Sequence, residues 1–527
     1  MRPRAWHPPV ELSAAEQSII KRIKRAKLFI FLRLYRHELF DAAFQEELAG
    51  MYGEVSKGHP PIPPAQLALA TILQAYAGVS DDEVIEALVM DRRWQLVLDC
   101  LDAERPPFAK GTLNAFRTRL MEANLDRRLI ERTIEIAQVS GAFGPRALRG
   151  ALDSSPLWGA GRVEDTWNLM GHALRKAVGV IARRQGWGLA EGTARIAGQA
   201  GAPQLAASSL KAALDADWDD PADRQRALQA VLDCLNAVET FIDSHPEAPV
   251  ASQARACVQI AEQVREQDVT LAADGAPVLI RGVAKDRRIS VEDADMRHGR
   301  TSRSVLFDGY KRHVLADLDT HLVHAVGITA ANVPEAAVTG DIAADLAAQH
   351  ATLTELHIDR AYLSSHLVRE READLAIFCK AWRVRAPGDR FAKTAFTIDF
   401  STGELTCPNQ VSMPLRPGQT VRFPKNVCAA CPLRERCTTS TGGRSVSIHP
   451  DEQLLIELRE RQQTLEGRAQ LRQRVGIEHV LAHIGRWQDR RARYKGTRKN
   501  LFDLRRTAVV HNLHVIARQQ DGYHLAA

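Results

Sequence analysis

The chain is poor in aromatic residues, which make up 6% of it, and in cysteine, with eight in 527 residues. So few cysteines do not make a secreted disulfide scaffold. Four of them, Cys100, Cys234, Cys257 and Cys379, stand in apolar surroundings that read as reduced core positions. No apolar run approaches the roughly 18 residues needed to cross a bilayer; the most suggestive, Leu28 to Leu32, is short and flanked by Lys27 and Arg33. The N-terminus carries no signal-like apolar region, and Trp6-His7-Pro8-Pro9 would interrupt one. What remains is an ordinary globular composition, 45% hydrophobic and 25% charged. The length is enough for about three to four domains at ~150 residues each. The formal charge of +6 hides an uneven distribution: residues 1–36 hold nine Lys/Arg against two acids, residues 486–506 hold the same, and the body between is acidic.

Residues 10–140 read as helical. Ser80-Asp81-Asp82-Glu83 has capping-box spacing before the apolar-periodic Val84, Ile85, Leu88 and Val89. A second helix start falls at Thr112. The pair after a Gly-Val-Ser turn suits either a helix-turn-helix reader of DNA or a plain helical bundle. Arg146 to Trp158 then reads as a short strand ending at Asp153, with a Ser-Ser-Pro turn after it. From about 168 to 270 the chain is helical again, with Leu228, Val231, Leu232, Leu235 and Val238 on one face. Residues 305–330 alternate like a hairpin about Leu318-Asp319-Thr320. Ala336 to Ala348 is a helix, Leu353 to Ile358 a strand stopped by Asp359, Ser364 to Glu372 a helix and Leu375 to Phe378 a strand. A long polar helix is predicted over about 452–485. The order is that of a mixed α/β fold carrying inserted helical material.

Three acids stand out by position: Asp153 and Asp359 at strand ends and Glu478 on a helix. Side chains at the strand ends of an open α/β sheet project into the crevice beyond its edge. Carboxylates gathered there cannot all stay ionised without a compensating charge, and divalent metal is the usual one. Two such ions about 3.5 to 4 Å apart would activate a water or a 3′-hydroxyl and stabilise the leaving oxygen of a phosphodiester. Alone, each acid is most simply solvated surface charge. Asp165, Asp293, Asp295 and Asp308 compete with Asp153 for the first position, but they sit in polar turns and Asp153 in an apolar strand.

Leu152-Asp153-Ser154-Ser155-Pro156, Ile358-Asp359-Arg360-Ala361-Tyr362 and Arg474-Val475-Gly476-Ile477-Glu478, with Tyr494-Lys495-Gly496 and His511-Asn512-Leu513, resemble the DDE transposases of bacterial insertion sequences. His59-Pro60 to Leu101, Phe116-Arg117 and Gly309-Tyr310-Lys311 extend the resemblance over most of the chain. It implies a ribonuclease-H-like mixed sheet with helices, an all-α N-terminal domain, a helical insertion and a Cys-rich insertion. It also implies that Asp153, Asp359 and Glu478 bind catalytic Mg²⁺ or Mn²⁺. The sequence departs from the family's pattern at Arg360, where Lys often stands. In the related tyrosine-arginine-glutamate-lysine signature, Arg474 and Glu478 keep their spacing, Leu471 replaces the tyrosine and Gly485 the lysine, with Arg486 one residue later. Arg474 and Glu478, four apart on one helix face, can reach one scissile phosphate, the acid through metal and the guanidinium directly; an ordinary helix salt pair has the same spacing.

Cys407, Cys428, Cys431 and Cys437 crowd a Pro/Cys-rich segment. Cys-x2-Cys supplies a chelating turn, so structural zinc on four thiolates is expected, with His449 able to replace Cys407 or Cys437. The tail interleaves aromatics with cations: Arg486, Trp487, Arg490, Arg491, Arg493, Tyr494, Lys495, Arg498 and Lys499. Such a run suits phosphate contact with counterion release, and Trp487 or Tyr494 stacking on an unpaired end. The basic N-terminal run has the look of an amphipathic helix and no assigned role.

The expected organisation is a helical N-terminal domain (1–140) suited to DNA-end binding, a catalytic core (145–167 and 271–400), a helical insertion (168–270), a zinc-stapled insertion (401–450), and the glutamate helix with the basic tail (451–527). The expected function is Mg²⁺-dependent cleavage and strand transfer at element ends. Partners are double-stranded DNA and further copies of the chain, with no membrane. The compartment is the bacterial cytoplasm, at the nucleoid when DNA is bound. Two alternatives are a non-catalytic DNA-binding relative and a metal-dependent nuclease without strand transfer. Convergence of the three carboxyl groups discriminates the first of these.

Overall fold

A computed structural model describes residues 2–53, 60–139, 143, 147–244, 248–302, 304–386 and 388–524; His59 and Arg146 lie outside them. The central sheet has six strands, β1 (Leu148–Trp158), β2 (Arg297–Arg300), β3 (Leu306–Asp317), β4 (Val323–Ala330), β5 (Leu353–Ile358) and β6 (Ala376–Phe378). β1 lies antiparallel to β3 on one side and parallel to β5 on the other; β5 pairs in parallel with β6, and β3 pairs antiparallel with both β2 and β4. The mixed sheet therefore runs β4-β3-β1-β5-β6, a curled ribonuclease-H-like arrangement with β2 continuing along β3. The hairpin at Leu318-Asp319-Thr320 and the strand before Asp359 form as their alternation predicts.

β1 does not end at Asp153. It runs on to Trp158, paired with β3 from Asp153↔Val314 to Trp158↔Gly309, while its pairing with β5 stops at Leu152↔Ile358. The Ser-Ser-Pro stretch is thus strand rather than turn. Pro156 lacks an N–H, which a strand tolerates where one edge has lost its neighbour. Gly309 is required opposite Trp158: its φ is +147°, and a Cβ there would lie 2.3 Å from the Leu157 carbonyl oxygen and the Gly159 nitrogen.

Among the described residues, eight helices precede the sheet, α1 (Ala14–Arg22), α2 (Lys27–Leu39), α3 (Ala42–Ala49), α4 (Pro64–Ala77), α5 (Asp81–Met90), α6 (Arg92–Leu98), α7 (Lys110–Glu122) and α8 (Arg128–Val139). Ser80 and Glu83 close the expected capping box at the start of α5, and α7 starts two residues before Thr112. α4 is buried from Pro64 to Ala75, so these helices form a bundle. The last helix of the chain packs against α4, α8 and β4, and the N-terminal helices share one apolar core with β3 and β4. Asn512 stitches this junction: it accepts from the Val323 amide and donates to the Val323 carbonyl and the Thr133 hydroxyl. Part of the N-terminal charge is structural. Arg33 is buried against Glu16, and Arg36 donates to the carbonyls of Leu96 and Val97.

The insertion is helical as expected, α9 (Thr166–Arg184), α10 (Leu189–Gln199), α11 (Pro221–Asp243) and α12 (Ala248–Asp268), with its own core around Leu174, Val231, Leu235 and Val258. α13 (Thr339–Ala348) follows β4, and the expected Ser364 to Glu372 helix is only His366–Arg369. A small lobe of short strands closes around Phe396, Leu405, Phe423, Val446 and Ile448. The long polar helix is three helices, α14 (Glu452–Arg461), α15 (Leu465–Gln473) and α16 (Val475–Gln488). The chain turns where Thr464 caps α15 through the Gly467 amide. Only glycine fits at 467, because a Cβ would lie 1.9 Å from the Arg461 carbonyl oxygen. α17 (Thr497–His524) ends the described chain, and among the described residues no helix is long and apolar enough to cross a membrane.

Candidate active site

The register places Asp153 and Asp359 side by side, each the first residue after the Leu152↔Ile358 pair where the parallel ladder stops. Asp153 is held by its own strand and accepts from the Ser154 amide at 2.8 Å; Asp359 accepts from the Arg360 amide at 2.7 Å. α16 packs across β1 and β3 and carries Glu478 in its first turn. Arg474 sits at the junction of α15 and α16. Its guanidinium donates to Asp153 Oδ2 at 2.7 Å and lies 3.5 Å from Glu478 Oε1. Arg474 thus bridges Asp153 and Glu478, while Asp359 lies beside Asp153 across the end of the ladder and lines the same crevice as Glu478. Among the described residues, no three His, Cys, Asp or Glu side chains are drawn together closely enough to hold a metal ion as they stand. Arg474 lies between Asp153 and Glu478 instead.

The electrostatics agree with this crowding. Burial holds the Asp153 carboxyl above the usual carboxylate range; Arg474 and the Ser154 amide oppose the shift, while Asp359 and Glu478 reinforce it. Beneath the acids, the Tyr362 hydroxyl bonds to Ser154 and to His313 Nδ1, and His313 Nε2 bonds to Thr329. Arg312 ties β3 to the end of α16 through Ser155, Gln488 and the Asp489 carbonyl. The acids therefore stand on a hydrogen-bonded floor.

The competing aspartates have other work. Asp165 caps α9 and pairs with Lys211, and Asp308 pairs with His298. Asp293 accepts from the Tyr310 hydroxyl and the Gly496 amide, while Asp295 accepts from the amide and hydroxyl of Thr497. The Gly309-Tyr310-Lys311 and Tyr494-Lys495-Gly496 motifs meet here, as a clasp that anchors α17.

That clasp corrects the reading of the tail. Trp487 stacks on His514 against the main core, and Tyr494 lies under the buried Arg506, so neither is a free stacking platform. Arg493 donates to the carbonyls of Gly78 and Val79 at the end of α4, Lys495 pairs with Glu292, and Arg498 pairs with the buried Asp126. Tertiary packing that no local pattern reveals has claimed these side chains. Arg486, Arg490, Arg491 and Lys499 stay exposed, with no ion pair among the described residues.

Cys407, Cys428, Cys431 and Cys437 all line one cavity of about 30 Å³ in the small lobe, without being close enough to hold a metal ion as they stand. Burial raises the Cys437 thiol, opposed by Arg444 and assisted by the other three sulfurs. His449 is engaged elsewhere, accepting from the Asp451 amide through Nδ1.

Asp359 and Glu478 open into a crevice of about 540 Å³ that Arg360, Lys380, Arg468, Arg472 and Arg474 also line. Lys380, Arg468 and Arg472 were not singled out by the sequence. The i,i+4 spacing of Arg468 and Arg472 was the available signal, but it is equally that of a solvated helix face.

Three protein-family models match separate stretches of the chain. One, described as Transposase domain (DUF772), matches residues 19–119; two, each described as Transposase DDE domain, match 266–389 and 406–517. Asp359 and Glu478 fall inside the matched stretches and Asp153 outside them. No curated protein and no solved structure matches.

Proposed function

Because the chain belongs to the DDE transposases of insertion sequences, enzymes that cleave DNA and transfer strands, we propose that Asp153, Asp359 and Glu478 bind two Mg²⁺ or Mn²⁺ ions for cleavage at the element's ends and joining to target DNA. The observation that carries this reading is the placement of Asp153 and Asp359 side by side at the end of the parallel ladder, with Arg474 bridging Asp153 to Glu478. The donor set suits the ions: it is all oxygen, as hard divalent cations prefer, and Asp359 has no ion-pair partner among the described residues. When bound, the ions supply activation of a water or 3′-hydroxyl and stabilisation of the leaving oxygen.

The chain's own part is positioning. β1 and the Ser154 amide fix Asp153, the Tyr362–His313–Thr329 relay holds the floor, and Arg474, freed from the carboxylates, reaches a phosphate oxygen. No protein nucleophile is needed. Arg486, Arg490, Arg491 and Lys499 contact the duplex backbone, Cys407, Cys428, Cys431 and Cys437 hold a structural zinc, and pairing two element ends calls for a dimer or larger assembly.

Asp153→Asn tests the reading. The expected result is loss of Mg²⁺-dependent end cleavage with DNA binding retained, and normal cleavage would sink it. A strand-transfer assay separates a transposase from a nuclease sharing the same site.

A further inference from the structure

The crevice in front of the acids holds an excess of unneutralised positive charge. Of the five cations lining it, only Arg474 meets a carboxylate among the described residues. Arg360 spends one nitrogen on the Lys380 carbonyl and Arg468 one on the Gln463 carbonyl. Lys380 and Arg472 have no side-chain partner among the described residues, and none of these four is in an ion pair. Some exposed arginines elsewhere do pair with an acid, as Arg92 does with Asp102 and Arg255 with Asp243. Lys380, Arg468 and Arg472 are exposed and Arg360 is half-buried, so all four are available to a ligand in the crevice.

Their placement is ordered. Arg360 directly follows Asp359, and Lys380 lies just beyond the end of β6, the neighbouring parallel strand. Arg468 and Arg472 project from one face of α15, which ends at Arg474. The cations therefore run from the sheet edge on one side of the acids to a helix on the other. A ligand that matches must carry negative charges at intervals across the opening and deliver one of them to the acids. A single small anion has no use for two walls, whereas a polynucleotide backbone does.

We propose that Arg360, Lys380, Arg468 and Arg472 are positioning residues that grip the phosphates flanking the scissile one, with α15 as one wall of the strand-binding track. The inference deepens the proposed function and rests on it. It gives α15, which is set off from α14 by the turn that Thr464 caps, a task that a continuous helix would not perform.

The test is the salt dependence of binding to a fluorescein-labelled duplex of arbitrary sequence, in EDTA so that metal plays no part. Every phosphate that the protein ceases to neutralise lowers the slope of log K against log salt by about 0.9. Arg468→Gln/Arg472→Gln is expected to flatten the slope by about 2 and to weaken binding at least tenfold, with Arg468→Lys/Arg472→Lys restoring most of the slope. Arg224→Gln/Arg226→Gln, which removes the same charge from the exposed start of α11, should leave the slope unchanged. A wild-type slope in the first variant, or an equal loss in the control pair, overturns the inference alone. A wild-type protein with no salt-dependent binding overturns the inference and the proposed function together.

Discussion

Arg474→Gln should separate the metal-free state of the site from its loaded state. Among the described residues the guanidinium is the only cation in contact with Asp153 and Glu478, at 2.7 Å and 3.5 Å. The Glu478 side chain is 56% exposed, so that contact contributes at most about 1 kcal/mol. Asp153 is 15% exposed and Arg474 28%, closer to a buried pair, where removing one partner costs about 3 to 5 kcal/mol. Partial exposure and the option of protonating Asp153 reduce this, and about 2 kcal/mol is a reasonable expectation. The variant should therefore melt several degrees below wild type in EDTA. With saturating Mg²⁺ the guanidinium has left the carboxylates in the wild type as well, so the gap should nearly close. By linkage the variant should bind Mn²⁺ about thirtyfold more tightly, since each 1.4 kcal/mol is a factor of ten. Thermal unfolding with and without Mg²⁺, and calorimetric titration with Mn²⁺, measure both effects. Equal destabilisation under the two conditions, or weaker metal binding by the variant, would refute the view that Arg474 stands in the ions' place.

Asp81 provides an acid-stability test away from the site. Hydrogen bonding by Arg117 lowers its carboxyl to about 2 from 3.8, so its contribution of about 2 kcal/mol is fully present above pH ~4 and is lost as pH falls toward 2. Asp81→Asn should remove that portion of the acid limb of a stability–pH curve, and an unchanged limb would contradict the assignment. The small lobe should contain one zinc per chain by elemental analysis; Cys428→Ser should abolish it and destabilise the lobe, whereas a metal-free purified protein with four titratable thiols in the lobe would rule the site out.

Much of the architecture was legible because its signals are local. The β3–β4 hairpin shows period-two alternation about Asp319, the strand before Asp359 is a short apolar run with a charged stop, and Ser80 with Glu83 announces a capping box. Two misreadings have specific causes. Proline after Asp153 signals a turn, yet β1 continues because only its parallel neighbour ends there. The stretch 452–485 is uniformly helical in composition, and its break depends on the close approach of Gly467 to Arg461, which is a tertiary fact. The tail was read from charge and aromatic content, which cannot distinguish Trp487 against His514 or Arg498 against Asp126 from a free DNA-binding face. That Asp153 and Asp359 lie near one another was legible because both motifs sit at the end of the parallel ladder, although Asp153 itself lies within β1 and not at its end. The surrounding cations were not, since Lys380 and Arg472 meet only after folding.

The most direct test is anomalous diffraction from a crystal of the protein with a DNA end and Mn²⁺. Manganese peaks flanked by Asp153, Asp359 and Glu478, with Arg474 turned from Asp153 onto a phosphate, are the expected result. Arg474 still bonded to Asp153 with manganese bound elsewhere, or with no manganese at the acids, would contradict the account.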